Sequence, residues 1–265
     1  MPGGGRTVSG AYYNEINSFA AAWLRELIKD GLIAPGDVDE RSITDVEPDD
    51  LVGYTQCHFF AGIGGWSAAL RLAGWEDDRP VWTGSCPCQP FSLAGKRDGF
   101  RDERHLWPVW YGLIAERRPP VVFAEQVASA TDWIAVVRRD LETVGYAVGA
   151  CPIEAACVGA LHRRDRFWLV ADAEWDQQPR PESRHGPAGR MGGGEQPVAW
   201  HADWEGALCE FRAVDDGTTY GVEACDAPRN AIVPAVAAAF VSAYLLTRSG
   251  DGVPVDEWTG PEGHQ

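Results

Sequence analysis

Hydrophobic and polar positions along the chain switch between a period of two and a period of about 3.6, and those switches predict the elements. Residues 11–16 (AYYNEI) read as a short strand. Phe19, Ala20, Trp23, Leu24, Leu27 and Ile28 then recur at helical spacing, and Gly31 supplies a stop. Residues 42–46 (SITDV) suit a second strand. Residues 55–60 (TQCHFF) suit a third, which runs into Ala61-Gly62-Ile63-Gly64-Gly65 and a helix ending near Gly74. A fourth strand at 81–84 (VWTG) precedes the loop SCPCQPFS. There follow a helix over roughly 105–117, a buried strand at 121–124 (VVFA) and a helix over about 132–144 halted by Gly145. Strands near 147–153 and 166–171 come next, and a last apolar helix runs from about Pro234 to Leu246. This alternation predicts an α/β fold: a doubly wound, mostly parallel sheet covered on both faces.

The regular pattern fails in one long stretch. From Glu174 to about Gly194 it dissolves into Pro, Gly, Arg, Gln and His, as in a loop or insertion. Residues 200–222 hold scattered aromatics around an Asp-Asp-Gly turn, which suits a hairpin. No apolar run approaches the ~20 residues of a membrane-spanning helix, and MPGGGRTVSG lacks the regions of a signal peptide. A cytoplasmic protein is the expectation. Seven Cys, an odd number without the paired spacings of a zinc site, predict free thiols and no metal.

Charge changes the picture only when it is located. The formal net charge is −16, but residues 96–190 hold 14 Lys and Arg against 14 Asp and Glu. The remaining 9 basic and 25 acidic residues carry the whole excess. A neutral, Arg-rich segment beside an acidic remainder permits contact with phosphates and discourages indiscriminate binding.

Two segments carry candidate chemistry. In Phe60-Ala61-Gly62-Ile63-Gly64-Gly65, glycines after a strand let the backbone turn sharply and approach a ligand, with a helix N-terminus behind them. Such turns also occur simply for packing. In Ser85-Cys86-Pro87-Cys88-Gln89-Pro90-Phe91-Ser92, two prolines stiffen a loop that sets a thiol just past a strand. A lone cysteine is more often a buried structural residue.

Taken with three further blocks, these segments resemble the DNA cytosine-5 methyltransferase family. Phe60–Gly65 resembles its cofactor loop and Pro87-Cys88-Gln89 its nucleophile motif. Glu125-Gln126-Val127 is similar to Glu-Asn-Val, and His162-Arg163-Arg164-Asp165-Arg166 to Gln-x-Arg-x-Arg. Arg229-Asn230-Ala231-Ile232-Val233 is similar to Gly-Asn-Ser/Ala-Val-Val. The resemblance implies a Rossmann-like domain that uses S-adenosylmethionine and acts on a flipped cytosine in double-stranded DNA. It implies that the Cys88 thiolate adds to C6 of the base, making C5 nucleophilic toward the donor methyl. Glu125 would bind the N3/N4 edge, and Arg166, with Arg164, would hold the O2 side and stabilise developing charge. Phe60, Gly62, Gly64, Gly65, Leu106 and Asn230 would belong to the cofactor site.

The order of the blocks departs from the family. Its members place the Gly loop first, then the acidic ribose-binding residue, then the adenine loop, then Pro-Cys-Gln. Here 21 residues separate Gly65 from Pro87, too few for two intervening strand–helix units. The missing pieces resemble upstream segments: Asn14-Glu15-Ile16 the ribose-binding one and Ser42-Ile43-Thr44-Asp45-Val46 the adenine loop. A circular permutation is the expectation, since the ends of a compact domain commonly lie close together. Glu15 would then bind the ribose hydroxyls, and Ser42 or Asp45 the adenine. The other reading makes residues 1–54 an unrelated cap.

The resulting map has a catalytic core at 1–172, a short target-recognition region at 173–228, a helix returning to the core at 229–248 and a tail at 249–265. A recognition region that small implies a short or relaxed recognition sequence. Three residues depart from the motifs: Gln126 for Asn, His162 for Gln and Arg229 for Gly. Two rival readings stay open at this level. One is the same class of enzyme acting on cytosine in RNA or moving a modified methyl group; the other is a homologue that binds DNA or cofactor without turnover.

Overall fold

A computed structural model describes residues 10–87, 106–158, 165–175 and 232–249. Seven strands form one sheet: β1 (Ala11–Asn14), β2 (Gly36–Asp39), β3 (Gln56–Phe59), β4 (Val81–Gly84), β5 (Val121–Val127), β6 (Ala147–Ile153) and β7 (Arg166–Asp172). Their spatial order is β2-β1-β3-β4-β5-β7-β6. The first five are parallel, and β7 runs antiparallel to both of its neighbours. Among the described residues five α-helices accompany them: α1 (Ser18–Lys29), α2 (Gly65–Leu72), α3 (Trp107–Arg117), α4 (Thr131–Thr143) and α5 (Pro234–Ser249).

Successive strand residues point to opposite faces, so each buried strand divides its apolar side chains between two layers. Val122, Ala124, Leu169 and Ala171 pack with Trp107, Trp110 and Ile114 of α3 and Trp133, Val137 and Leu141 of α4. Val121, Phe123, Trp168 and Val170 face the other way, against Trp66, Ala69 and Leu70 of α2 and Phe240 and Tyr244 of α5. Tyr13 of β1 and Leu24 of α1 extend that second layer, where Tyr13 also meets the Ser67 hydroxyl of α2 at 2.9 Å. The sheet is therefore doubly wound and mostly parallel, as the strand–helix alternation predicts.

The strand predicted at 42–46 is absent. Ile43 and Val46 are both buried, three residues apart, which is the repeat of the 3-10 turn found at Ile43–Asp45 and not of a strand. The edge strand lies earlier, at Gly36–Asp39, where Val38 is the only branched residue and no apolar alternation marks it. Gly36 is required there, because a Cβ would sit 1.8 Å from the Ala11 carbonyl oxygen. Elsewhere the predicted stops hold: α1, α2 and α4 end at Lys29, Leu72 and Thr143, just before Gly31, Gly74 and Gly145. The predicted hairpin at 200–222 lies outside the described residues. Among the described residues, no helix is long and apolar enough to cross a membrane.

Candidate active site

The carboxyl ends of β1, β3, β4 and β5 open onto one cavity of about 320 Å³, within the size range of small-molecule sites. Its wall takes Glu15 from the end of β1, Phe60–Ile63 and Gly65 from the turn after β3, and Ser85–Pro87 from the turn after β4. Glu125–Val127 of β5, Arg166 of β7 and Ile232, just ahead of α5, also face it. Open α/β sheets bind ligands at this edge because the chain departs toward opposite faces there and leaves a crevice.

The turn after β3 takes its shape from backbone conformation. Gly62 and Gly64 have φ values of 56° and 84°, in the left-handed region that glycine enters without a Cβ penalty. Phe60 also has a positive φ, 52°, which costs energy for a side chain of its size and is the kind of strain found at ligand sites. Glu15 ties this turn down. Its carboxylate accepts from the Gly62 N–H at 2.7 Å and from the Asn17 N–H at 2.8 Å. Gly65 is confined by Ile232, whose Cγ1 would meet a Cβ at 2.7 Å.

At the other end of the cavity Glu125 and Arg166 are paired. In the antiparallel register Val127 faces Arg166, so Glu125 and Arg166 are diagonal neighbours on one face of the sheet. Arg166 Nε lies 2.7 Å from Glu125 Oε1, and only 9% of the Glu125 side chain is exposed. A buried carboxylate needs such a partner. Gln126 points to the opposite face, where its amide donates to the Cys86 carbonyl at 3.4 Å and its oxygen accepts from the Val127 N–H at 2.9 Å. That contact links the Glu-Gln-Val strand to the Pro-Cys turn. Burial pushes the Cys86 thiol far above its ordinary value, which disfavours the thiolate that a nucleophile needs.

The predicted residues sort into three groups. Glu15, Phe60, Gly62, Gly65, Glu125 and Arg166 are brought together around the cavity. Gly64 is adjacent but serves packing, since a Cβ there would meet Leu24, Ile33 and Leu27 at 3.2–3.3 Å. Ser42, Asp45 and Leu106 are not in this wall. Ser42 caps the 3-10 turn by accepting from Thr44 N–H, Asp45 is exposed, and Leu106 packs against the α3–α4 core. Cys88, Arg164 and Asn230 lie outside the described residues, as do His162 and Arg229; Cys88 follows Pro87 directly in the chain. Asn17, Trp66 and Ser85 also line the cavity, and sequence reasoning missed them. For Asn17 a signal existed: it is the polar residue just before the apolar helix repeat, and its side chain caps α1 through the Ala20 N–H at 3.0 Å.

Residues 76–187 match the family described as C-5 cytosine-specific DNA methylase. The type II methyltransferase M.AplI of Arthrospira platensis is 32% identical over 95 residues, which are 34% of this chain and 28% of that protein. The type II methyltransferase M.MspI of Moraxella sp is 34% identical over 92 residues, 32% of this chain and 22% of the other. M.HhaI of Haemophilus parahaemolyticus is 23% identical over 167 residues, covering 48% of this chain and 51% of its own length. A methyltransferase structure from Entamoeba histolytica superposes with a TM-score of 0.43 at 16% identity, over 61% of this chain and 44% of that one. The similarity to C-5 cytosine-specific DNA methylases is thus centred on residues 76–187 of this chain. It spans about half the length, or less, of these curated relatives.

Proposed function

We propose that the protein methylates C5 of cytosine in double-stranded DNA, with S-adenosylmethionine as donor and Cys88 as nucleophile. The observation that carries this reading is one cavity with two ends: the Glu15-bound glycine turn and the Glu125–Arg166 pair. The residues present fit the cofactor. The glycine turn brings backbone close to the cavity, α2 offers a helix N-terminus behind it, and Glu15 keeps a free lone pair on each oxygen for a ribose hydroxyl. When bound, S-adenosylmethionine supplies an electrophilic methyl group on a sulfonium.

The chain's own residues then act on the base. A bond forms between the Cys88 sulfur and C6, the electrons of the C5–C6 double bond move to C5, and N3 takes up a proton beside Glu125. Arg166 holds O2, where negative charge develops, and is positioned for it by the pair with Glu125. C5 takes the methyl carbon as that carbon's bond to the donor sulfur breaks, leaving a neutral thioether; a base then removes the C5 proton, the C5–C6 double bond re-forms as the thiolate leaves C6, and N3 gives its proton back. The target base reaches this site by leaving the duplex.

The strand connections support a permuted order. β4–α3–β5 and β5–α4–β6 both step toward the β6 edge with their helices on one face. β1–α1–β2 steps the other way with its helix on the opposite face, which is the same hand. β3–α2–β4 is the exception: it steps toward β6 with α2 on the α1 face, so its hand is opposite to the other three. Nearly all such crossovers are right-handed. Joining α2 to β1, as the family's order of segments would, restores a single hand throughout. The odd crossover therefore sits where a permutation would have joined new neighbours.

The test is bisulfite sequencing of DNA from cells expressing the protein. Cytosines protected within a short recurring sequence are expected; full conversion, with methylated cytosine in RNA instead, would assign the RNA substrate.

A further inference from the structure

Ser85 lines the cavity and has one protein partner among the described residues, the Trp66 indole, whose Nε1–H donates to its Oγ at 3.1 Å. An indole nitrogen is a donor only, so the Ser85 oxygen must accept. The hydroxyl proton is thereby directed to some other acceptor, and no protein acceptor for it occurs among the described residues. Trp66 is not free to change this. It is 3% exposed, stacks on Phe123 with ring centroids 6.1 Å apart and meets Trp168 edge-on at 5.5 Å. A buried, immobilised donor thus fixes an oriented hydroxyl in the cavity wall.

The sheet order says which part of a ligand lies there. Along the carboxyl edge the wall runs from Glu15 after β1, through the turn after β3, to Ser85 after β4 and Glu125 on β5. If ribose sits at Glu15 and the target base at Glu125, the donor's amino-acid arm occupies the interval between them. Of that arm's groups the sulfonium and ammonium cannot accept a hydrogen bond, and the carboxylate can. We infer that Ser85 is a cofactor-binding residue that donates to the carboxylate of the donor's amino-acid arm, and that Trp66 is its positioning residue. This rests on the methyltransferase reading above.

Calorimetry on the full chain separates the two. S-Adenosylmethionine and 5′-methylthioadenosine, which lacks the amino-acid arm, are titrated into wild type, Ser85→Ala, Ser85→Thr and Trp66→Phe. Ser85→Ala is expected to lose about tenfold in affinity for S-adenosylmethionine (about 1.4 kcal/mol) and less than twofold for 5′-methylthioadenosine. Ser85→Thr, which keeps a hydroxyl, is expected to restore most of the loss. Trp66→Phe, which keeps a ring and removes the N–H, should lose about threefold for S-adenosylmethionine alone, on the scale of one neutral hydrogen bond. Unchanged affinity in Ser85→Ala, or equal loss for both ligands, would overturn the inference. Wild-type protein that binds neither ligand would overturn the methyltransferase reading and this inference with it.

Discussion

Glu15→Gln perturbs the joint between β1 and the glycine turn with little change of shape. The carboxylate serves two backbone donors with its two oxygens, Gly62 N–H at 2.7 Å and Asn17 N–H at 2.8 Å. A glutamine offers one oxygen and one NH2, so one of the two N–H groups must face another donor. A hydrogen bond to a charged group contributes about 1.5–3 kcal/mol. The Asn17 contact is exposed and falls at or below the lower end, whereas the Gly62 contact is partly buried. Glutamine would turn its oxygen to Gly62 and sacrifice Asn17, which limits the stability cost to about 1–2 kcal/mol. For a domain of this size that lowers Tm by roughly 2–8 °C. Cofactor affinity should fall further, by about 1–3 kcal/mol, because the ribose also loses a charged acceptor. Circular dichroism melts give the first quantity and calorimetry with S-adenosylmethionine the second. A Tm within about 1 °C of wild type together with unchanged affinity would refute the reasoning, and would favour residues 1–54 as a cap unrelated to the site.

Two further outcomes follow from buried groups. Cys86→Ala should keep methyl transfer within a few-fold of wild type, because its thiol is packed and its pKa is raised by burial; a loss comparable to that of Cys88→Ser in initial rate would contradict this. His58 is buried in β3 between Thr83 Oγ1 at 2.8 Å and Gln56 Oε1 at 3.2 Å, and burial pushes its pKa down to about 3. The unfolded chain takes up a proton near pH 6.5 that the folded state rejects, so stability is unaffected above that value and falls as pH drops below it. Between pH 7 and pH 5 the loss is about 2 kcal/mol. Urea unfolding at the two pH values measures it, and His58→Phe should flatten the dependence; an identical slope in both proteins would refute the assignment.

The two periodicities made most of the sheet legible, and they failed where tertiary contacts override local pattern. Strands 81–84 and 147–153 fall where the apolar residues put them. β5 does not: the apolar run ends at Ala124, yet the strand continues through Glu125 and Gln126 to Val127. Those polar residues are tolerated inside because Arg166 pairs with one and the Cys86 carbonyl receives the other. Both partners are distant in sequence, and local rules are expected to break at such places. β2 was missed because Gly36-Asp37-Val38-Asp39 pairs through its backbone and carries almost no apolar signal. The candidate site was legible through motifs at Glu15, Gly62, Glu125 and Arg166. Ser85 opens the Pro-Cys segment and Trp66 follows the glycine turn, but neither was given a role, since their pairing is one hydrogen bond between residues 19 positions apart.

Covalent trapping tests the central claim most directly. Fluorine at C5 cannot leave as a proton, so a duplex carrying 5-fluorocytosine at the methylated position should stop the reaction after methyl transfer, with the enzyme still bound through C6. In the presence of S-adenosylmethionine, intact-mass analysis should show one protein–DNA adduct, peptide mapping should place it on Cys88, and Cys88→Ser should abolish it. Absence of any adduct on a duplex that the enzyme methylates when unfluorinated, or an adduct that survives Cys88→Ser, would contradict the account.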